Sequence, residues 1–293
     1  MTDRVRVNGI DIAFERFGPP ENSPLLLIMG LGTQMLAWRE QFCELLVDEG
    51  HHVIRFDNRD IGLSTHLHEA PMPDLAAVLT GDTSAAPYRL DDMAADTAGL
   101  LDALGIPSAH IVGASMGGMI AQALAIGHPD RVRSLTSIMS TTGAPGVGAA
   151  TPKAQAALLA PPATTREEAV QRAIGAFRVI GSPGFPMDEE SLADTVGRSY
   201  DRGYDPQGVT RQLLAVMASG DRTPALRTLA VPTLVVHGED DPLVGLDGGK
   251  ATAAAIPGAE LLTFPGMGHD LPRQLWRPIV DAITRLTRAA SGT

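Results

Sequence analysis

Hydrophobic and polar positions alternate with a period of two near the start of the chain, and short apolar runs follow. In VRVNGIDIAFERFG, residues 5–18, the alternation on either side of Asn8 and Gly9 predicts a β-hairpin. Further apolar runs predict buried strands at residues 24–30, 51–57, 110–113 and 134–140. Helical patterns lie between them, at about residues 37–49, 90–105 and 116–127. Strands alternating with helices predict an α/β fold, with a mostly parallel, twisted sheet flanked by helices.

The pattern changes after residue 140, where strand-like runs stop and glycine, proline, alanine and threonine become frequent. Helices are predicted at about residues 152–159, 165–180, 188–200 and 207–218. Strand patterns resume at 231–238 and 259–266, and a last helix is predicted at 272–288. We therefore expect one core, residues 1–140 and 229–293, interrupted by a helical cap or lid at 141–228. A cap that enters at the carboxyl ends of parallel strands covers the usual ligand crevice.

The stretch HIVGASMGGMIAQ, residues 110–122, joins a predicted strand to a predicted helix through Gly-x-Ser-x-Gly. A nucleophilic serine on such a turn needs small residues two positions before and after it, because strand and helix backbones approach closely there. Gly113 and Gly117 meet that requirement. Ser115 is therefore the candidate nucleophile, and its alternative is a serine in an ordinary glycine turn.

A serine nucleophile requires a base and an acid that orients the base. His269 follows the last predicted strand, at the carboxyl edge of the sheet, and is the candidate base. The acid is expected in HGEDDP after the preceding strand, where Asp241 is favoured because Pro242 fixes its backbone. Asp240 remains the alternative.

An oxyanion formed by attack on a carbonyl needs backbone donors. The amide of Met116, directly after the nucleophile, is one candidate. The amide of Leu31 is the second, since Gly30 and Gly32 in MGLG permit an unusual backbone there.

Composition narrows the function further. The 293-residue chain has a formal net charge of −11, which disfavours binding to nucleic acid or to an anionic membrane surface. Its single cysteine, Cys43, excludes an intrachain disulfide and a cysteine zinc site. With neither a signal peptide nor a membrane span apparent, we expect a cytoplasmic protein. His66 and His68 lack an obvious third ligand, so we expect no metal site and no cofactor.

Five stretches together resemble the α/β-hydrolase fold superfamily along nearly the whole chain: LLLIMGLG, VIRFDNRDIGLST, HIVGASMGGMIAQ, VPTLVVHGEDDP and PGMGHDLP. The chain is most similar to aclacinomycin methylesterase-like and mycobacterial lipase/esterase-like members. Met29 stands where many members have histidine. The methylesterase-like group also has methionine at this position. The order Ser115, Asp241, His269 is that of the family triad. The resemblance also implies that Asp57, Arg59 and Ser64 fix a structural loop.

The resemblance implies a serine esterase or lipase that cleaves a carboxylic ester of a small molecule through an acyl-serine intermediate. The expected acyl group is apolar or bulky, with Gly30, Trp38, Phe177 and Tyr200 as candidate substrate contacts. The same triad also permits a cofactor-free perhydrolase (haloperoxidase) or a carbon–carbon bond hydrolase. A non-catalytic ligand receptor on this fold is a further alternative.

Overall fold

A computed structural model describes residues 2–70 and 82–292. Within these residues, eight strands form one sheet in the order β1-β2-β4-β3-β5-β6-β7-β8. Strands β1 and β2 are antiparallel to their neighbours and the other pairs are parallel, which confirms the predicted mostly parallel sheet. The strands are Asp3–Val7 (β1), Ile10–Phe17 (β2), Ser23–Ile28 (β3), His51–Phe56 (β4), Ala109–Ala114 (β5), Val132–Ile138 (β6), Thr233–Gly238 (β7) and Glu260–Phe264 (β8).

The two-residue turn between β1 and β2 follows from its sequence. Asn8 has φ 48° and Gly9 has φ 83°, so both lie in the left-handed region that these two residue types tolerate best. Val7 pairs with Ile10 across the turn. The predicted hairpin is therefore confirmed.

Helices cover both faces of the sheet. In the described residues they are Glu40–Asp48 (α1), Leu90–Ala103 (α2), Met116–Gly127 (α3), Pro152–Leu158 (α4), Arg166–Ile180 (α5), Glu189–Arg202 (α6), Pro206–Ser219 (α7), Thr223–Leu226 (α8), Leu246–Ala255 (α9) and Trp276–Ser291 (α10). Side chains alternate along β3, so that Leu26 and Ile28 join the cluster with α2 and α3. Leu25 and Leu27 join the opposite cluster with α1 and α10.

The last helix begins later than its predicted start at residue 272. Pro272 has an extended backbone with ψ 139°, and Arg273–Leu275 form a 3-10 turn before α10 starts at Trp276. The apolar periodicity continues through this turn, which explains the difference in the boundary.

Helices α4 to α8 lie between β6 and β7, and we refer to residues 152–226 as the helical segment. Its first four helices lie close to the predicted ones, whereas the short α8 was not predicted. The segment contacts loops that follow β3, β4 and β8, through pairs such as Gln212 with Gly32 and Arg211 with Asp60. It therefore lies at the carboxyl edge of the parallel strands.

In the part of the chain that the structure describes, helices long and apolar enough to cross a membrane are absent.

Candidate active site

Ser115 occupies a sharp turn between β5 and α3. Its backbone has φ 57° and ψ −121°, a conformation that non-glycine residues rarely adopt. The glycines around it are required by close backbone approach. A Cβ atom on Gly113 would lie 2.1 Å from the carbonyl oxygen of Gly117, and one on Gly117 would lie 2.1 Å from that of Ile28. The predicted spacing of small residues therefore has a direct steric cause.

His269 lies in the loop after β8 and faces Ser115. Its Nε2 is 3.0 Å from Ser115 Oγ, and its Nδ1 is 2.7 Å from Asp241 Oδ2. A carboxylate can only accept, so Nδ1 carries the proton and Nε2 presents a lone pair to the serine hydroxyl. The imidazole is thus oriented to receive the proton of Ser115.

Asp241 is held in place by the loop after β7. Its Oδ1 accepts hydrogen bonds from the amides of Leu243 and Val244, each at 2.9 Å. Asp240 points elsewhere and accepts from the amide of Gly266 at 2.8 Å. Of the two aspartates left open by the sequence, the structure brings Asp241 to His269.

A second buried histidine lies beside this carboxylate. His237 Nε2 is 2.8 Å from the carbonyl oxygen of Val244 and 3.7 Å from Asp241 Oδ2. Burial lowers the pKa of His237, which favours its neutral form. His237 therefore donates to a backbone carbonyl and leaves Asp241 to His269.

The two candidate oxyanion donors are the backbone amides of Leu31 and Met116. Neither the amide of Leu31 nor that of Met116 donates to an acceptor within residues 2–70 and 82–292. Gly30 lies against Ser115, since a Cβ added there would be 3.1 Å from Ser115 Cβ. Gly32 has φ 63°, and its amide donates to Gln212 Oε1 at 2.9 Å. The loop that carries Leu31 is therefore fixed from the helical segment.

The predicted substrate contacts fall in different places. Gly30 is beside Ser115, whereas Trp38 is 0% exposed and stacks on Phe42 with ring centroids 5.4 Å apart. Trp38 thus belongs to the core and offers no surface to a substrate. Phe177 and Tyr200 are half-buried in the helical segment, where Tyr200 stacks on Tyr204 at 5.0 Å.

The loop that carries His269 is also bound to the helical segment. The amide of His269 donates to the carbonyl oxygen of Ile180 at 2.7 Å, and the amide of Gly268 donates to Ser182 Oγ at 2.9 Å. Ser182 Oγ in turn donates to the carboxylate of Asp270. Burial raises the pKa of the Asp270 carboxyl, and its hydrogen bonds with Ser182 oppose that rise.

Sequence reasoning missed the four polar side chains that fix these two loops. The signals were weak, because Asp270 is merely adjacent to His269 and Gln212 is a polar residue in an apolar helical pattern. The residues are Gln34, Ser182, Gln212 and Asp270.

Asp57, Arg59 and Ser64, which the resemblance assigned to a structural loop, fix the loop after β4 to itself and to neighbouring elements. Asp57 accepts from the amides of Met35 at 2.8 Å and Leu63 at 3.0 Å. Ser64 Oγ donates to the carbonyl oxygen of Asp57 at 2.6 Å, and Arg59 pairs with Asp96 at 2.6 Å. Buried charges that are paired in this way stabilise the loop.

Comparisons with known proteins agree with this architecture. A family profile described as alpha/beta hydrolase fold matches residues 23–179, and one described as TAP-like protein matches residues 215–285. The chain is 30% identical to rhodomycin D methylesterase of Streptomyces peucetius over 298 aligned positions, covering 94% of this chain and 95% of the relative. It is 29% identical to 2-hydroxy-6-oxononadienedioate/2-hydroxy-6-oxononatrienedioate hydrolase of Burkholderia vietnamiensis, covering 85% of this chain and 81% of that one.

Solved structures share the fold. A thermophilic esterase from Thermogutta terrifontis superposes with a TM-score of 0.71 at 24% identity, covering 99% of each chain. The chain belongs to the α/β-hydrolase fold family, which confirms the resemblance seen in the sequence, and it is a hydrolase.

Proposed function

We propose that this hydrolase cleaves a carboxylic ester of a small molecule through an acyl-serine intermediate. The observation that carries the proposal is the arrangement of Ser115, His269 and Asp241, with contacts of 3.0 Å and 2.7 Å. A serine on a strained turn, a base with its lone pair toward that serine, and an acid that orients the base are the parts that acyl transfer needs.

In the proposed first half-reaction, Ser115 Oγ attacks the ester carbonyl carbon as its proton passes to His269 Nε2. Asp241 stabilises the resulting imidazolium, and the amides of Leu31 and Met116 bind the oxyanion. The carbon–oxygen bond to the alcohol then breaks, and the alcohol leaves with the proton from His269.

In the second half-reaction a water molecule gives a proton to His269 and attacks the acyl-serine. Collapse of this intermediate breaks the bond to Ser115 Oγ, and His269 returns the proton to the serine. The products are the carboxylic acid and a regenerated enzyme.

We propose a methyl or other small alkyl ester with an apolar or bulky acyl part as the substrate. Support comes from the relative of S. peucetius, which is a methylesterase and aligns over nearly the full length of both chains. Half-buried aromatic side chains of the helical segment, Phe177 and Phe185, fit an apolar acyl group. On this view the segment acts as a cap over Ser115.

The test is a series of p-nitrophenyl esters of increasing acyl length, followed by methyl esters of the preferred acids. Ser115→Ala should reduce turnover by roughly 10⁴-fold, whereas Ser199→Ala, on the helical segment, should leave it unchanged. A phosphonate should label Ser115 with loss of activity. If Ser115→Ala keeps most of its activity, the acyl-serine mechanism is wrong.

A carbon–carbon bond hydrolase is the second candidate, favoured by the relative of B. vietnamiensis at 29% identity. The discriminating substrate is a 2-hydroxy-6-oxodienoate, and the decrease in its absorbance measures its cleavage. Turnover of this compound at a higher kcat/KM than every ester of the series would replace the esterase proposal with this one.

A further inference from the structure

Two histidines and an aspartate meet where the loop after β4 contacts the helical segment. His66 and His68 lie on that loop, and Asp205 is the N-terminal capping residue of α7. His66 Nδ1 is 2.8 Å from Asp205 Oδ2, and His68 Nδ1 is 3.9 Å from the same oxygen. One candidate ligand atom from each residue lies within 4.8 Å of the others. The sequence hid this third ligand, because Asp205 is distant along the chain.

Both ring nitrogens of His66 face hydrogen-bond acceptors. Its Nε2 is 2.9 Å from the carbonyl oxygen of Gly62, which accepts a proton, while its Nδ1 faces the Asp205 carboxylate, which also accepts. A neutral imidazole carries a single N–H and cannot donate to both. The pair therefore needs either a second proton on the His66 ring or a cation that binds both atoms, which would move them from 2.8 Å to about 3.3 Å apart.

The position of His68 favours the cation. The two imidazole rings are stacked, with centroids 5.5 Å apart and planes 8° from parallel, and both direct Nδ1 toward Asp205. The Nδ1 atoms of the two rings and a carboxylate oxygen of Asp205 can therefore bind one metal ion together. The bond from His66 Nε2 to a backbone carbonyl is the support that metal-binding histidines ordinarily have.

We propose that His66, His68 and Asp205 bind a divalent transition-metal ion of the Zn²⁺ type. Two imidazoles and a carboxylate suit Zn²⁺, Co²⁺ or Ni²⁺, whereas Mg²⁺ and Ca²⁺ take oxygen ligands. Donor atoms around a tetrahedral Zn²⁺ lie about 3.3 Å apart, given bonds of roughly 2.0 Å. The exposed His68 side chain, at 65% accessibility, can turn to close the remaining distance.

Neighbouring charges limit the affinity. Arg211 Nη2 is 3.3 Å from Asp205 Oδ2, although this guanidinium makes two shorter bonds to Asp60, at 2.9 Å and 2.7 Å. Asp205 Oδ1 is occupied in capping the amide of Gln207 at 3.0 Å. With a cation nearby, we expect micromolar rather than picomolar binding.

The metal would join the core to the helical segment. Helix α7 carries Asp205 at its start and, two turns later, Gln212, whose side chain accepts a hydrogen bond from the amide of Gly32 in the loop after β3. The expected role is therefore to stabilise the contact between the segment and the loop after β4. None of the three ligands takes part in the proposed ester hydrolysis.

The experiment uses the full-length chain after treatment with a chelator. Calorimetric titration with Zn²⁺ should give one ion per chain, and Co²⁺ should give the visible absorption of a tetrahedral or five-coordinate site. Free Zn²⁺ at about 100 times Kd should raise the Tm by roughly 4 °C, whereas Mg²⁺ should leave it unchanged.

Variants locate the ion. His68→Asn, at an exposed position, and Asp205→Asn, which keeps the helix cap, should each weaken Zn²⁺ binding by about 10-fold or more. His128→Asn and His269→Asn should retain full affinity, the second because the triad is a separate histidine site. The proposal is overturned if no binding occurs up to about 1 mM Zn²⁺ at pH 7.5, or if His68→Asn and Asp205→Asn bind Zn²⁺ as the parent does. In either case His66 and Asp205 form a simple protonated ion pair.

Discussion

The backbone of Ser115 lies in a region that costs a non-glycine residue about 1–3 kcal/mol, and the surrounding residues must hold it there. The amide of Ser115 donates to the carbonyl oxygen of Ile138 at 2.9 Å, which ties the turn to β6. Gly113 and Gly117 let strand and helix approach closely enough to expose Oγ. Because the backbone holds this conformation without a bound substrate, the hydroxyl of the candidate nucleophile is positioned in advance of the proposed reaction.

The neighbouring aspartates give the sharpest residue-scale prediction. Asp241→Asn should lower kcat by roughly 10⁴-fold, because an amide at this position can donate to His269 Nδ1 and thereby favours the wrong tautomer. Asp240→Asn should cost less than about 10-fold, since Asp240 bonds to the Gly266 amide. Steady-state kinetics on a p-nitrophenyl ester measures both. Equal losses, or a larger loss for Asp240→Asn, would contradict the assignment of Asp241 as the acid that orients His269.

At the scale of elements, the loops that carry the candidate oxyanion donor and the candidate base are both bound to the helical segment. Gln212 holds the Gly32 amide, and Gln34 Nε2 donates to the carbonyl oxygens of Ser199 and Gly203 at 2.7 Å and 2.9 Å. Ser182 connects the segment to the loop of His269. The helical segment therefore helps to fix the positions of both loops. A large outward movement of the segment would break hydrogen bonds to each loop.

Ser182 is a positioning residue for His269 on this account. Ser182→Ala leaves the Gly268 amide and the Asp270 carboxyl without their partner, and the loop can shift. We expect kcat to fall by about 10-fold or more with little change in KM, because a small misplacement of the base affects the chemical step. Ser182→Thr, which keeps the hydroxyl, should restore most of kcat.

The matched control is Thr165→Ala, which removes the N-terminal cap of α5 in the same segment. It should lower stability by about 1 kcal/mol and leave kcat unchanged. If Thr165→Ala lowers kcat as far as Ser182→Ala does, the effect of Ser182 is general destabilisation and not positioning.

Periodicity and motifs could predict the strands, the turn at Ser115 and the two later positions of the candidate triad, because each is encoded within about ten consecutive residues. They favoured Asp241 because of Pro242 but left Asp240 open, since adjacent carboxylates differ only in the direction their side chains take. Trp38 shows a second limit, because an aromatic residue in a loop motif can belong to the core as easily as to a binding surface. Pairs such as Ser182 with Asp270 depend on how distant segments pack, which no local pattern records.

For the molecule as a whole, sheet topology separates the candidate chemistry from a buried histidine pair. The carboxyl ends of the parallel strands carry Ser115, Asp241 and His269. His51 and His110 lie at the opposite edge, at the starts of β4 and β5, with ring centroids 5.9 Å apart. This second pair bears on stability, since both rings are buried and each has a nitrogen without a hydrogen-bond partner among the described residues.

The histidine pair predicts how stability depends on pH. Burial, followed by the charges of His51 and Arg133, lowers the pKa of His110 to about 4. Burial also lowers the pKa of His51, with Arg288 acting in the same direction and a contact from Ser23 and the charge of Glu49 opposing it. In the unfolded chain these histidines take up a proton near pH 6.5. Between about pH 4 and pH 6.5 the folded state therefore binds fewer protons than the unfolded state. The stabilisation is therefore complete above about pH 6.5 and is lost as the pH falls toward 4.

His110 alone should account for a loss of about 3 kcal/mol in the free energy of unfolding over that range, from a shift of roughly 2.5 pKa units. Urea unfolding at a series of pH values measures this loss. In His110→Asn, which retains a polar atom for the contact with Ser134, the dependence between pH 6.5 and 4 should become much shallower. His128→Asn, at a half-buried position after α3, should keep the slope of the parent chain. If the free energy of unfolding of His110→Asn falls with pH as steeply as that of the parent chain, other groups cause the loss of stability in acid. Burial of neutral His110 is then not the cause.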